Sequence, residues 1–250
     1  MEPIQIRVFD KPLDIRLTNH KVVLPSELQS RVTAHWQALL QQNPKLRNGE
    51  VFTVISVEEN SEKISIRLAE TDYAHYLYSR QFNDLGKYTV RIIHPAALVL
   101  ADNKIIFGSM GSHTSLAGTI QCCGGGIDRN AVGSDGVVAI DRTISAELKE
   151  ELGIEKNDAR VASILPTYLK FGGPTGKMTL IYTVKLTTTS KQFQKDYAAF
   201  AKALQKRGKE PEFDQIFCID NDASTVEAFI QEYKDRLNEY MTVLLRAVSR

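Results

Sequence analysis

The sequence predicts an α+β protein, because segments that alternate like β-strands are interspersed with segments that have the period of amphipathic helices. The alternation is clear in residues 4–9 and is roughly repeated in residues 13–24. The helical period is clear in residues 146–154, which follow a triple glycine, Gly124-Gly125-Gly126. Aliphatic residues become denser after Tyr88, where the character of the chain changes.

Length and composition are those of a globular protein with a hydrophobic core: of 250 residues, 43% are hydrophobic and 24% charged. The formal net charge of +1 gives no indication of a nucleic-acid or anionic-membrane partner. We expect neither a signal peptide nor a membrane-spanning segment. The cysteines Cys122, Cys123 and Cys218 are odd in number and form no C-x-x-C pair, which favours reduced thiols in a cytoplasmic protein.

The N-terminal part has four segments that alternate apolar and polar residues and are predicted strands: 4–9, 13–24, 51–57 and 64–68. The last two are expected to form an antiparallel pair. A helix is expected from Ser26 to Asn43, with Ser26 as N-cap and Gln29 as its capping-box partner. Trp36 lies in the apolar stripe of this helix and is interpreted as a core residue. A short helix is expected at 72–79.

The C-terminal part has its own order of strands and helices. Strands are expected at 90–93, 97–100, 104–107, 120–123, 161–171, 178–186 and 214–219, and further helices at 191–209 and 224–248. The loop from Gly172 to Lys177 is only superficially similar to a P-loop, because two strands flank it and no Ser or Thr follows the lysine. It is interpreted as a hairpin turn. Ser224 is the expected cap of the last helix.

Three glutamates on the helix behind the glycines indicate chemistry. At about 100° per residue, Glu147, Glu150 and Glu151 lie on one face of that helix, beside an apolar stripe. Such carboxylates repel each other, and a bound cation removes the repulsion. Oxygen ligands without a nearby Cys or His indicate a hard ion, Mg²⁺ or Mn²⁺. The helix alone would also suit an ordinary amphipathic surface, but the glycine turn and the strands before it favour a metal site.

Residues 146–154 resemble the end of the Nudix box, which reads Arg-Glu-U-x-Glu-Glu-x-Gly-U with U aliphatic. The matching residues are Glu147, Leu148, Glu150, Glu151, Gly153 and Ile154, with Gly125 as the leading glycine. Ala146 replaces the arginine that helps to orient the catalytic glutamate, and a longer spacer leaves no first box glutamate. The resemblance implies a Nudix α/β/α sandwich with a mixed sheet in residues 87–250, preceded by a smaller α+β domain in residues 1–86.

A second resemblance is carried by short segments of the N-terminal half: Trp36, Asn43-Pro44, residues 48–52 and residues 71–73. They are similar to the lead-in domain of the UDP-sugar-hydrolysing Nudix branch of animals and plants. Members of that branch also have a longer loop after the glycines and also lack the arginine. This resemblance implies UDP-glucose or UDP-galactose as the substrate.

The implied reaction is hydrolysis of a nucleotide-sugar diphosphate to a nucleoside monophosphate and a sugar phosphate. Divalent ions held by Glu147, Glu150 and Glu151 would neutralise the diphosphate and lower the pKa of a bound water. By resemblance, the main-chain carbonyl of Gly124 is a further ligand. Glu151 is expected to bind the metal, whereas Glu147 is either a ligand or the residue that activates water.

Other functions fit the same residues. ADP-ribose or a dinucleoside polyphosphate could replace the nucleotide sugar, and a non-catalytic nucleotide-binding regulator would explain Ala146. Retention of three repelling acids favours an enzyme, a pyrophosphohydrolase. A further carboxylate could come from Glu210, Glu212 or Asp214, although an exposed acidic turn explains these residues equally well. The expected partner is a nucleoside diphosphate derivative, with no membrane and no nucleic acid, and a homodimer is left open.

Overall fold

The computed structural model describes residues 3–155, 157–174 and 176–249, in which a large mixed β-sheet lies between two layers of helices. The strands of these residues are β1 (Gln5–Val8), β2 (Leu13–Lys21), β3 (Glu50–Glu59), β4 (Ile64–Asp72), β5 (Ile93–Ala101), β6 (Lys104–Met110), β7 (Ile120–Gln121), β8 (Cys123–Gly124), β9 (Val161–Phe171), β10 (Met178–Leu186) and β11 (Phe213–Asp220). The helices are α1 (Ser26–Gln42), α2 (Tyr73–Gln81), α3 (Ile140–Leu152), α4 (Ser190–Lys206), α5 (Ala223–Tyr233) and α6 (Met241–Val248). The predicted α+β class with a mixed sheet is confirmed.

The large sheet has the strand order β1-β9-β10-β5-β6-β11, and the short strands β7 and β8 pair with β6 and β5. β5 and β10 are parallel, whereas the other neighbours along this path are antiparallel. β8 places Gly124 opposite Ala96 of β5. The triple glycine therefore leaves the sheet next to its central strand.

Successive residues of β5 face opposite sides of the sheet, as the pleat of a strand requires. Ala97 and Val99 belong to the core that contains residues of α3 and α4. Ala96 and Leu98 belong to the core that contains residues of α5 and α6. The apolar stripe of α3, which includes Leu148, is buried in the first of these layers. One face of α3 is thereby fixed, and its glutamates are held at the edge of that core.

A smaller sheet with the order β2-β4-β3 lies in the N-terminal part, where β3 and β4 form the predicted antiparallel pair. α1 and α2 share a core that contains Trp36 and Tyr78, in agreement with the interpretation of Trp36. β1 does not join this sheet, because Gln5 pairs with Phe171 at the edge of the large sheet. The division into residues 1–86 and 87–250 stays a prediction. Although β1 lies in residues 1–86, it belongs to the large sheet.

Three predictions about helix ends are wrong. α1 begins at Ser26 itself, and Pro25 occupies the N-cap position without a side-chain cap. The predicted helix 224–248 is divided into α5 and α6, because the main chain of Arg236 and Asn238 forms hydrogen bonds with Ile120. Asp222, and not Ser224, caps α5 by accepting a bond from the Thr225 amide. Of the helices that the structure describes, none is long and apolar enough to cross a membrane.

The loop between β9 and β10 joins two antiparallel strands, which confirms its interpretation as a hairpin turn. Its residue Thr175 lies outside the described residues. The side chain of Lys177 is directed to the space between the two sheets, where it lines a cavity with Arg80 of α2. The loop thus forms part of the wall of this cavity and is not a P-loop.

Gly153 ends α3 in the left-handed region, at φ 66° and ψ 28°. A Cβ atom there would lie 2.7 Å from the Phe200 ring. We expect Gly153→Ala to lower the free energy of unfolding by about 2–3 kcal/mol, since a left-handed alanine costs about 1 kcal/mol and the clash with α4 adds to it. Urea denaturation would measure the loss.

Gly208→Ala is the matched control. Gly208 has a similar φ of +71°, but no atom lies within 4 Å of its added Cβ. This variant should lose only the backbone contribution of about 1 kcal/mol. Equal losses in the two variants would contradict the role of the α3–α4 contact.

Candidate active site

α3 brings the three predicted glutamates to one end of the helix but places them at different depths. Glu151 is almost completely buried, with 1% of its surface exposed. Glu147 is half-buried and Glu150 is exposed. Ala146, at the position of the family's arginine, is exposed as well. The burial of the three carboxylates therefore increases from Glu150 through Glu147 to Glu151.

The triple glycine lies against these carboxylates. The Gly124 amide donates a hydrogen bond to Glu151 Oε2 over 3.0 Å. A Cβ atom on Gly124 would lie 2.3 Å from the carbonyl oxygen of Pro95, and one on Gly125 would lie 1.9 Å from Glu147 Oε1. Glycine is thus required at Gly124, which packs against the main chain of β5, whereas a side chain at Gly125 would displace the carboxyl group of Glu147.

A fourth carboxylate, Glu212, joins the group from the loop before β11. The Gly111 amide donates to the Glu212 carbonyl over 2.7 Å, and the Tyr197 hydroxyl donates to the Phe213 carbonyl over 2.6 Å, so the loop is held on both sides. Asp214 instead accepts a bond from the Ser112 amide. The sequence left Glu212 undistinguished from its acidic neighbours, because only the pairing of β11 with β6 places it here.

The electrostatics of the group are those of acids buried together. Burial, together with the charges of Glu212 and Glu150, raises the pKa of Glu147 to about 7. Burial also raises the pKa of Glu151 well above its usual range, with contributions from Glu212 and Glu147. The pKa of Glu212 is raised by burial, while His113 partly opposes the shift. We call Glu147, Glu151 and Glu212 the carboxylate cluster.

The donor chemistry of the carboxylate cluster fits a hard divalent cation, since it offers oxygen atoms whose charges repel in a place with little water. Glu150 and the main chain of the glycine turn border the same place. Within the described ranges, no three His, Cys, Asp or Glu side chains are arranged closely enough to hold a metal ion as they stand. The cluster therefore supplies the ligand types, and its side chains would have to converge on the ion.

A cavity of about 580 Å³ lies on the other side of the glycine turn. Gly126, Ile127 and Asp128 form one wall, and residues of β3 and α2 form the opposite wall. We call it the interdomain cavity, after the predicted division of the chain between residues 86 and 87. Because Gly125 contacts Glu147 and Gly126 lines the cavity, a single stretch of main chain separates a binding space from the carboxylate cluster.

The fold is similar to that of several solved structures at low sequence identity. A NUDIX hydrolase from Nitrosomonas europaea is 11% identical with a TM-score of 0.38, and the match covers 64% of this chain and 91% of that chain. A putative nudix hydrolase family member from Chromobacterium violaceum is 13% identical with a TM-score of 0.36, over 63% of this chain and 75% of that chain. No protein-family model and no curated protein matches the chain. The function of this chain is therefore inferred from the residues of its candidate site.

A third similar structure is a bifunctional NMN adenylyltransferase/ADP ribose pyrophosphatase from Francisella tularensis, complexed with AMP and a Mn ion. It is 14% identical with a TM-score of 0.36, and the match covers 63% of this chain and 42% of that chain. Similarity of this degree carries no conclusion about the ligands of this chain.

The carboxylate cluster should destabilise the metal-free protein above neutral pH. An acid whose pKa is raised from 4.5 to about 7 in the folded state loses stability as pH rises through that range, because the unfolded state ionises first. We therefore expect Glu147→Gln to raise the melting temperature in EDTA at pH 8 by roughly 2–4 °C, which corresponds to about 1 kcal/mol.

At pH 5 the difference between Glu147→Gln and the parent should shrink, because the folded-state carboxyl is then protonated. Glu62→Gln is the control, since Glu62 is exposed and remote from the cluster. Differential scanning fluorimetry at both pH values would measure these shifts. A Glu147→Gln variant less stable than the parent at pH 8 would contradict the repulsion.

Proposed function

We propose that the chain is a metal-dependent Nudix pyrophosphohydrolase that cleaves a nucleoside diphosphate linked to another group. The carboxylate cluster carries this proposal: three acids from two separate elements meet at a buried glycine turn, with pKa values raised by burial and by one another. Raised pKa values of this kind, beside a cavity, are typical of functional sites. A purely structural role would leave the repulsion between the acids without compensation.

Mg²⁺ or Mn²⁺ would be held by Glu147, Glu151 and Glu212, with Glu150 on the solvent side and the main chain of Gly124 as a further candidate ligand. When bound, such an ion neutralises diphosphate charge and lowers the pKa of water. Glu151 is fixed by the Gly124 amide and is the least mobile of these acids. We therefore assign Glu151 as the principal ligand.

In the reaction, a water oxygen forms a bond to one phosphorus, and the bond from that phosphorus to the bridging oxygen breaks. The products are a nucleoside monophosphate and a second phosphorylated group. A pKa of about 7 for Glu147 suits a residue that takes the proton of the attacking water near neutral pH. Glu147 is thus either a metal ligand or the base that activates water. Because Ala146 replaces the arginine that would orient Glu147, the contact with Gly125 has to orient this glutamate.

The substrate that we favour is a nucleotide sugar such as UDP-glucose, which follows from the similarity of the N-terminal half to the UDP-sugar-hydrolysing branch. The position of β3 and α2 beside the glycine turn supports a role for that half in substrate binding. ADP-ribose and dinucleoside polyphosphates are the alternative substrates of the same site. A nucleotide-binding regulator without catalysis is the alternative outside enzymes.

An activity panel tests the proposed function. We expect Mg²⁺-dependent release of a nucleoside monophosphate from at least one of UDP-glucose, UDP-galactose, ADP-ribose and diadenosine tetraphosphate, measured by chromatography. Glu151→Gln should lose roughly 10²-fold or more of kcat, because it removes the principal ligand. Unchanged turnover in this variant would exclude the assignment of Glu151. Binding without turnover across the panel would favour the regulator.

A second test concerns Glu212, which the sequence did not single out. We expect Glu212→Gln to lower kcat by roughly 10-fold or more and to raise the Mg²⁺ concentration needed for half-maximal activity. Glu210→Gln is the matched control, since Glu210 is exposed two residues earlier on the same loop. Steady-state kinetics over a Mg²⁺ titration would separate the two variants. Equal behaviour of both would remove Glu212 from the cluster.

A further inference from the structure

Apart from the wall formed by Gly126, Ile127 and Asp128, the interdomain cavity is lined by more positive than negative side chains. Lys177 and Arg80 line it, and the buried Lys170 lies behind them, with its Nζ donating to Glu239 Oε1 over 2.5 Å and to the Lys177 carbonyl over 2.9 Å. Among the described residues, Arg80 forms no ion pair with a carboxylate. Glu239 therefore pairs with Lys170 and acts on Lys177, while Arg80 adds a further positive charge beside Lys177.

The protonation of Lys177 reports the same excess of charge. Burial, with a smaller contribution from the charges of Arg80 and Lys170, lowers the pKa of Lys177 to about 8, although Glu239 opposes this shift. An anion bound between Lys177 and Arg80 would relieve this repulsion. The chemistry of this wall thus fits a phosphate group.

Aromatic rings form the side of the cavity that belongs to the N-terminal part. The rings of Tyr73 and Tyr76 are 6.0 Å apart with an angle of 35° between their planes. Arg80 Cζ lies 5.9 Å from the centroid of Tyr76, and Phe52 lines the cavity nearby. A flat ring beside a guanidinium is a suitable platform for a nucleobase, since bases of any sequence stack on aromatic side chains.

His94 supplies a hydrogen-bonding group in the same cavity. It is 92% buried, because only 8% of its surface is exposed, and its Nε2 has no partner among the described residues. Burial lowers the pKa of His94 well below its usual range, and Lys177 and Lys170 lower it further. The ring is therefore neutral and suits an uncharged polar atom of a ligand, such as a base carbonyl or ring nitrogen.

We propose that the interdomain cavity binds the nucleoside monophosphate half of the substrate, with the base on Tyr76 and His94 and its phosphate on Arg80 and Lys177. The N-terminal part then determines specificity and completes the active site. This inference rests on the proposed function, because it assigns one half of the substrate to a defined wall. The other half would extend from the glycine turn toward the carboxylate cluster.

The experiment measures binding without turnover. The full chain in EDTA is titrated calorimetrically with UMP, CMP, AMP and GMP, and with glucose 1-phosphate and inorganic phosphate. At least one nucleotide should bind more tightly than both of the other two ligands. Tyr76→Ala should weaken nucleotide binding roughly 10-fold and leave phosphate binding unchanged. Arg80→Met should weaken nucleotide and phosphate binding alike.

Arg207→Met is the matched control for Arg80→Met, since both arginines are exposed at a helix end. Arg207 is remote from the cavity lining, so this variant should bind like the parent. Circular dichroism spectra of the variants would show that each retains its fold. Tighter binding of glucose 1-phosphate than of every nucleotide would overturn the proposal, as would unchanged nucleotide affinity in both Tyr76→Ala and Arg80→Met.

The two proposals fail in different ways. If nucleotides bind and the variants weaken them, but no diphosphate in the panel is hydrolysed, the proposed function fails and the assignment of the cavity stands. If Mg²⁺-dependent hydrolysis proceeds with the same KM in the parent, Tyr76→Ala and Arg80→Met, the assignment of the cavity fails and the proposed function stands.

Discussion

The structure depends on one electrostatic conflict, the burial of Glu147, Glu151 and Glu212 close to each other. Acids in such a position raise each other's pKa and weaken the fold unless a proton or a cation is present. The surrounding elements hold them there nevertheless: α3 buries its apolar stripe, the Gly124 amide holds Glu151, and two hydrogen bonds hold the main chain where the loop enters β11. In the function that we propose, such an arrangement lowers stability in exchange for activity, as is usual at active sites.

The triple glycine connects the chemistry to the rest of the molecule. On one side Gly125 contacts Glu147, and on the other side Gly126 lines the interdomain cavity. The turn can be this thin because Gly124 packs directly against the Pro95 carbonyl of β5. A side chain at Gly124 would force the turn away from this strand, so the position of the central strand determines where the turn lies.

Local patterns in the sequence predicted local structure well. The stripe of α3, the β9–β10 hairpin and the pair β3–β4 all follow from periodicity over a few residues. The sequence did not predict the features that depend on pairing between distant segments of the chain. Glu212 joins the site only because β11 pairs with β6, and the last helix breaks because Ile120 pairs with the main chain near Leu237. No spacing of apolar residues encodes such partners, since each is set by the packing of the complete sheet.

The edge strand β1 has a consequence for how the molecule is made. Its partner β9 lies far along the chain, with Gln5 opposite Phe171, so most of the polypeptide must leave the ribosome before this pair can close. Contacts of such sequence separation slow the folding of a protein because a long loop has to be ordered first. β1 is synthesised long before its partner, and until the two strands pair the backbone groups at this edge of β9 stay open to pairing with other chains.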